Sequence, residues 1–438
     1  MRSAMPIPST ERDIRLDFVR GLALMIIFIN HIPGNEGQFL MLSRYGWSDA
    51  AEIFVFCSGY VSALVFGRGL DRAGLWIGAA RILARCGQIY AVHLGLFLAL
   101  ALSCIIGNGL FPGHDYVQQL NIRYLFDHTE PALLSMVTLS YLPNSIDILP
   151  MYLVLLAWVP VFWALSRLDR TLAWGLSIAV WLATYLFHLE LSAQPETERA
   201  WFFNPFAWQL IFFAGYTLGA GWLRVPLGQK RWMFASLAVI LLAVPFSHEA
   251  MLRPFEWMTG LYGYIDSFYE KTRLGPLRLI HFAALAYVVA TLLGRHREWL
   301  KNPLATHIRV IGQNSLAIFS IGLLLAWISG MVLDQIGHGL LSLLLVNLGG
   351  LMVLLAIGQS LHWLDGKPWN IRSAGHHAAD EPSVGLMVEP SDGRTLMWRP
   401  LSVGLLVLPL AIAPFFLPKK PVPIPVTAAP SADPGIQR

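Results

Sequence analysis

Charged residues are scarce in this sequence. Asp, Glu, Lys and Arg make up 13% of its 438 residues, where a soluble domain carries roughly 25%. A water-facing fold of this length needs a charged surface, so the deficit excludes one and points to a bilayer as solvent. Lys and Arg never run beyond two in a row and the net charge is only +4, which gives no footprint for nucleic acid. Cysteine is rarer still. Cys57, Cys86 and Cys104 sit in apolar surroundings with no C-x-x-C pair, so neither a metal site nor a disulfide framework is signalled. The N-terminal MRSAMPIPSTERDIR lacks the apolar stretch of a cleavable signal peptide, and the first hydrophobic segment reads as a retained helix. No internal repeat is visible, which weighs against an inverted-repeat transporter.

What the chain has instead is apolar length. It is 55% hydrophobic and carries 16 Trp, a residue that concentrates at membrane interfaces. A crossing needs about 20 mostly apolar residues. Such segments fall near 17–33, 49–66, 87–107, 148–166, 172–189, 205–223, 232–247, 277–294, 309–333, 340–362 and 400–417. The reading is an all-α, polytopic integral membrane bundle of about ten or eleven helices. The core spans 1–362, followed by a polar cytoplasmic linker at 363–399, an extra helix at 400–417 and a Pro-rich disordered tail at 418–438. With the N-terminus inside and alternating crossings, the inner segments hold 21 of the 31 Lys and Arg, so the positive-inside rule sets a cytoplasmic N-terminus. The loops at about 108–147 and 248–276 are then outside. They are rich in aromatics, Asp and His, a composition that suits a sugar as well as a helix lying on the bundle.

Ionisable groups inside a membrane are costly and mark sites. The first helix carries Arg20 near its inner end and Asn30 and His31 at the outer end. Eleven positions return to nearly the same helical face, roughly 16 Å further along. A snorkelling Arg and a helix-ending His explain the pair equally simply. In the second helix Asp49 and Glu52 are three apart, on one face at the level of His31. A carboxylate there would orient an imidazole as a general base, although Asp49 is also a credible helix cap. Arg81 and Arg85, four apart on the inner side, suit a phosphorylated ligand, or serve as ordinary positive-inside anchors. His93, Asn204, Gln209, His281, Gln313 and Asn314 are further buried polar candidates, for which bonding between helices is the default account.

The segments RLDFVRGLALMIIFINHIPGN, WSDAAEIFVFCSGYVSALVFG, RILARCGQIYAVH, LPMYLVLL, NPFAWQLIF, LGPLRLIHFAALA and GQNSLAIFS together resemble the OpgC family, within the wider acyltransferase-3 group of membrane acyltransferases. The resemblance covers residues 15–320. It implies an inner-membrane, acyl-CoA-dependent O-acyltransferase moving an acyl group, succinyl above all, from a cytoplasmic coenzyme A thioester to a periplasmic glucan or another extracytoplasmic glycan. The basic residue and histidine of the wider group's first helix correspond to Arg20 and His31. Its inner Arg-x-x-Arg motif has its nearest match in Arg81 and Arg85, one residue further apart. The histidine expected in the Asn-Ser region of the ninth helix is Ser320 or absent here.

On that resemblance Arg20, Arg81 and Arg85 hold the phosphates of acyl-CoA. His31, oriented by Glu52 or Asp49, deprotonates the acceptor hydroxyl, and Asn30 or Asn314 steadies the oxyanion. Arg278, beside His281, receives the free carboxylate of a succinyl group. A transporter or exporter without acyl transfer shares the multiple spans and buried charges, and a membrane scaffold is the third possibility. Oligomeric state leaves no mark on the sequence.

Overall fold

The computed structural model describes residues 13–366 apart from 42–43, 196, 198 and 248–263. The expectations for 400–417, for 418–438 and for all of the linker beyond 366 lie outside the described residues.

α1 (Ile14–His31) starts at Asp13, whose carboxylate accepts from the Arg15 N–H at 3.0 Å, and stops where Pro33 denies the next turn its donor. α2 (Ala50–Ser62) passes through a wide π-type turn, Ala63–Gly67, into α3 (Arg68–Leu110). The 61 residues from Ala50 to Leu110 would run about 90 Å as one straight helix, three bilayers thick. Gly74, at φ 80° and ψ 172°, breaks the run and lets it return. Three short helices follow: α4 (Tyr116–Gln119), α5 (Arg123–Asp127) and α6 (Thr129–Val137). Then come α7 (Ile148–Leu168), α8 (Arg170–Phe187), α9 (Pro205–Gly219), α10 (Lys230–Ala243), α11 (Pro276–Arg295), α12 (Pro303–Gln313), α13 (Ser315–Ile336) and α14 (Leu340–Asp365).

The architecture is an all-α, multi-pass membrane bundle, with no named strand among the described residues. Among the described residues, six continuous segments are long and apolar enough to cross a membrane, and the first of them is long enough to cross twice. α1, α9 and α10 fall at three further expected segments but are shorter or charged at one end. Two boundaries differ from expectation. The third segment begins well before residue 87, so Arg81 and Arg85 lie within α3. The ninth is two helices, because Asn314 leaves helical geometry at φ −102° and ψ 35°.

Backbone contact at glycine fixes α1 and α2. A Cβ on Gly59 would collide with the carbonyl of Phe212, and one on Gly215 with the carbonyl of Phe56. α2 and α9 therefore touch along their backbones, the small-residue packing that lets membrane helices associate. Gly21 meets the Ile308 carbonyl and Gly312 meets the Asp17 carbonyl in the same way, which locks α1 against α12.

Candidate active site

His31 is the last residue of α1, and its surroundings explain its pose. Its Nδ1 lies 2.7 Å from the Ile27 carbonyl oxygen. A carbonyl can only accept, so Nδ1 carries the hydrogen and neutral His31 keeps a lone pair on Nε2. The turn that follows is pinned from two sides. Asn35, fully buried, donates to the Ile29 carbonyl at 3.0 Å and to Asn347 Oδ1 on α14 at 2.8 Å, and Asn347 donates back to Asn35 Oδ1 at 2.9 Å. Gly330 of α13 lies against the Pro33 ring so closely that no side chain fits between them.

His31 opens onto a cavity of about 630 Å³, inside the range usual for ligand sites. Asn30 and Asp49 share its wall with Asn144, Ser145, Asp147, Glu190, Arg199, Phe202, Phe203, Glu270, Lys271 and Phe319. A small apolar void of about 10 Å³ between α1 and α13 adjoins His31 and is lined by Ile27, Phe319, Phe28, Ile318 and Leu24.

The carboxylates of α2 are arranged differently from expectation. Asp49 and Glu52 form a capping box: Asp49 accepts from the Ala51 N–H at 2.8 Å, and Glu52 accepts from the Asp49 N–H at 2.8 Å. Arg278 of α11 bonds Glu52 and lies 3.1 Å from Asp49, and Lys271 lies 2.6 Å from Asp49. Glu52 is fully buried and does not line the cavity, so its work is to hold α2, α11 and the 269–275 segment together. His31 is oriented by its own helix at Ile27 rather than by either carboxylate. Asp49 remains on the cavity wall. Burial pushes its carboxyl up, and the Lys271 ammonium and Arg278 guanidinium outweigh burial and hold it well below the usual carboxylate range.

Other expected residues separate from this site. Arg278 is spent on Glu52 and Asp49, which leaves it no free face for a succinyl carboxylate. His281 accepts the Ser48 N–H at Nδ1, 3.2 Å away, behind the cavity wall. Asn314 adjoins Gln313 and Ser315, which bond Asp17 and Arg20 respectively. It therefore sits at the Arg20 end of α1, an end roughly 16 Å along that helix from His31, and it does not line the cavity. Arg81 and Arg85 lie on α3. Arg81 folds toward Gly69, and Arg85 bonds Gln88 at 3.0 Å.

Asp147, Arg199, Lys271 and Phe202 had no signal in local spacing. They come from the loops before α7, α9 and α11, and only the tertiary fold brings them together. The one sequence hint was the aromatic and acidic content of the loops near 108–147 and 248–276.

The OpgC protein family model matches residues 12–366. The chain belongs to the OpgC family. No curated protein and no solved structure matches it. The matched region contains the whole cavity, the capping box and both ends of α1, and OpgC membership implies a transferase that modifies glucan.

Proposed function

We propose that this OpgC member is a membrane O-acyltransferase that moves an acyl group, succinyl above all, from acyl-CoA to hydroxyls of a periplasmic glucan. The observation that carries the reading is His31 on the wall of a polar cavity, its Nδ1 committed to Ile27 and its Nε2 left as the base. In this reading the Arg20 end faces the cytoplasm and the coenzyme A, and the His31 end faces the periplasm of an inner-membrane protein. The thioester arm comes from the Arg20 end and the sugar enters by the cavity.

His31 Nε2 takes the proton of the acceptor hydroxyl as the oxygen attacks the thioester carbonyl. The tetrahedral intermediate collapses, the C–S bond breaks and the thiolate of coenzyme A recovers the proton from His31. The Ile27 carbonyl keeps the ring in one tautomer through both transfers and stabilises the imidazolium between them. Asn30, beside His31 on the cavity wall, is the donor for the oxyanion. Asp49 and Lys271 supply an ion pair on the same cavity wall. Arg20 takes a coenzyme A phosphate. Arg81 and Arg85 contribute as part of the positive face of α3.

The test uses purified protein in lipid nanodiscs with succinyl-CoA and neutral glucan. Free thiol released in step with succinyl added to the glucan supports the reading. A protein that releases no thiol, with or without glucan, is not an acyltransferase, and transport becomes the account to pursue.

A further inference from the structure

The cavity wall contains polar groups that the chemistry above does not use. Asp147 precedes α7 and is only 4% exposed, yet its carboxyl does not cap that helix. It faces the backbone N–H of Phe203 instead. Arg199 donates from Nη2 to Asn144 Oδ1 at 3.0 Å, while its buried Nη1 has no partner among the described residues. Ser145, between Asn144 and Asp147, is held at φ 73°, a left-handed conformation that a non-glycine residue keeps only where its surroundings demand it. Phe202 is 47% exposed and stands edge-to-face with Phe203 at 5.1 Å. All of these residues line the cavity that holds His31.

Charge bookkeeping on the wall narrows the ligand. Asp49 is neutralised by Lys271, and Glu270 by Arg273 at 2.6 Å. Among the described lining residues, Asp147 and Glu190 remain with Arg199 as the cation that no carboxylate binds directly, so acidic groups outnumber basic ones there. An acidic ring seated between Asp147 and Glu190 meets net repulsion, whereas a ring bearing only hydroxyls meets acceptors at Asp147, donors at Arg199 and Asn144, and an apolar face at Phe202 for its C–H groups.

We propose that Asp147, Arg199, Asn144 and Phe202 form a subsite that selects an uncharged sugar ring and holds its hydroxyl toward His31. The inference rests on the reading that the cavity takes a glycan acceptor. It adds a selection rule: a ring that already carries an acidic acyl group is disfavoured, so a succinylated product leaves and is not modified again at the same ring.

The experiment measures binding of a neutral glucohexaose and of its C6-oxidised, carboxylated counterpart to the full chain in nanodiscs by calorimetry. The neutral oligosaccharide binds at least tenfold more tightly to the wild type. Asp147→Asn weakens neutral binding and narrows the neutral-to-acidic ratio at least threefold. Glu190→Gln, an exposed position, narrows the ratio as well and serves if Asp147→Asn does not fold. Phe202→Ala weakens both ligands at least fivefold. Equal or tighter binding of the acidic oligosaccharide, no binding of either, or a ratio untouched by both carboxylate variants overturns the subsite. Wild type that cleaves succinyl-CoA but binds no neutral oligosaccharide overturns the subsite alone. Wild type that binds the oligosaccharide but never cleaves succinyl-CoA overturns the acyl-transfer reading alone.

Discussion

His31 donates its Nδ1 hydrogen to the Ile27 carbonyl, 2.7 Å away, and this bond within one helical turn turns the lone pair of Nε2 toward the cavity. The base is prepared by the last turn of its own helix, and the surrounding bundle serves to hold that turn still.

The Asn35–Asn347 pair is the tie between that turn and α14. Asn347→Leu leaves the fully buried Asn35 short of a partner, a loss of about 1–3 kcal/mol. Thermal unfolding in detergent should show the lower midpoint, and turnover should fall with succinyl-CoA KM little changed. An unchanged midpoint and turnover would remove the tie from the account.

The buried charges around Glu52 make a sharper contrast. Arg278→Met strands the Glu52 carboxylate, and breaking a buried pair in this way costs about 3–5 kcal/mol. Adding Glu52→Gln removes the stranded charge and should recover part of that loss. Chemical denaturation of the single and double variants measures it; a double variant less stable than the single would contradict the pairing.

Gly59 and Gly215 bring α2 and α9 into backbone contact. Gly59→Ala must push α2 off α9, so folded yield and melting temperature should drop. Gly175→Ala, with open space around the Cβ position, should leave both where they are. The two alanine variants compared side by side by size-exclusion yield decide it.

Burial pushes the Asp147 carboxyl, which lies just outside the α7 span, up to about 6. Its ionised form accepts sugar hydroxyls. Affinity for neutral glucan is therefore full above that pH and falls as pH drops through it, by at most tenfold per pH unit. In Asp147→Asn the step near pH 6 disappears. Affinity that rises on acidification would reverse the assignment of Asp147 as an acceptor.

Much of this was legible along the chain, and the rest was not, for physical reasons. The apolar segments announce the bundle because a bilayer leaves few alternatives to helices. Arg20 and His31 share a face because eleven residues close three turns. Asp49 and Glu52 read correctly as neighbours, but their spacing serves a capping box as well as a catalytic pair, and Arg278, 226 residues from Glu52, decided between the two. Hydropathy runs unbroken from 309 through 333, so the break at Asn314, which sets the next residue, Ser315, against Arg20, leaves no trace in it. Asp147 and Arg199 are 52 positions apart, and no local pattern joins them.

The most direct measurement is the acyl content of periplasmic glucans, read by mass spectrometry, in cells carrying wild type or His31→Ala at equal membrane levels. The account predicts a succinyl mass increment with wild type and its loss, by a factor of about 100 or more, in the variant. Full modification by His31→Ala would contradict the role of His31 as the base.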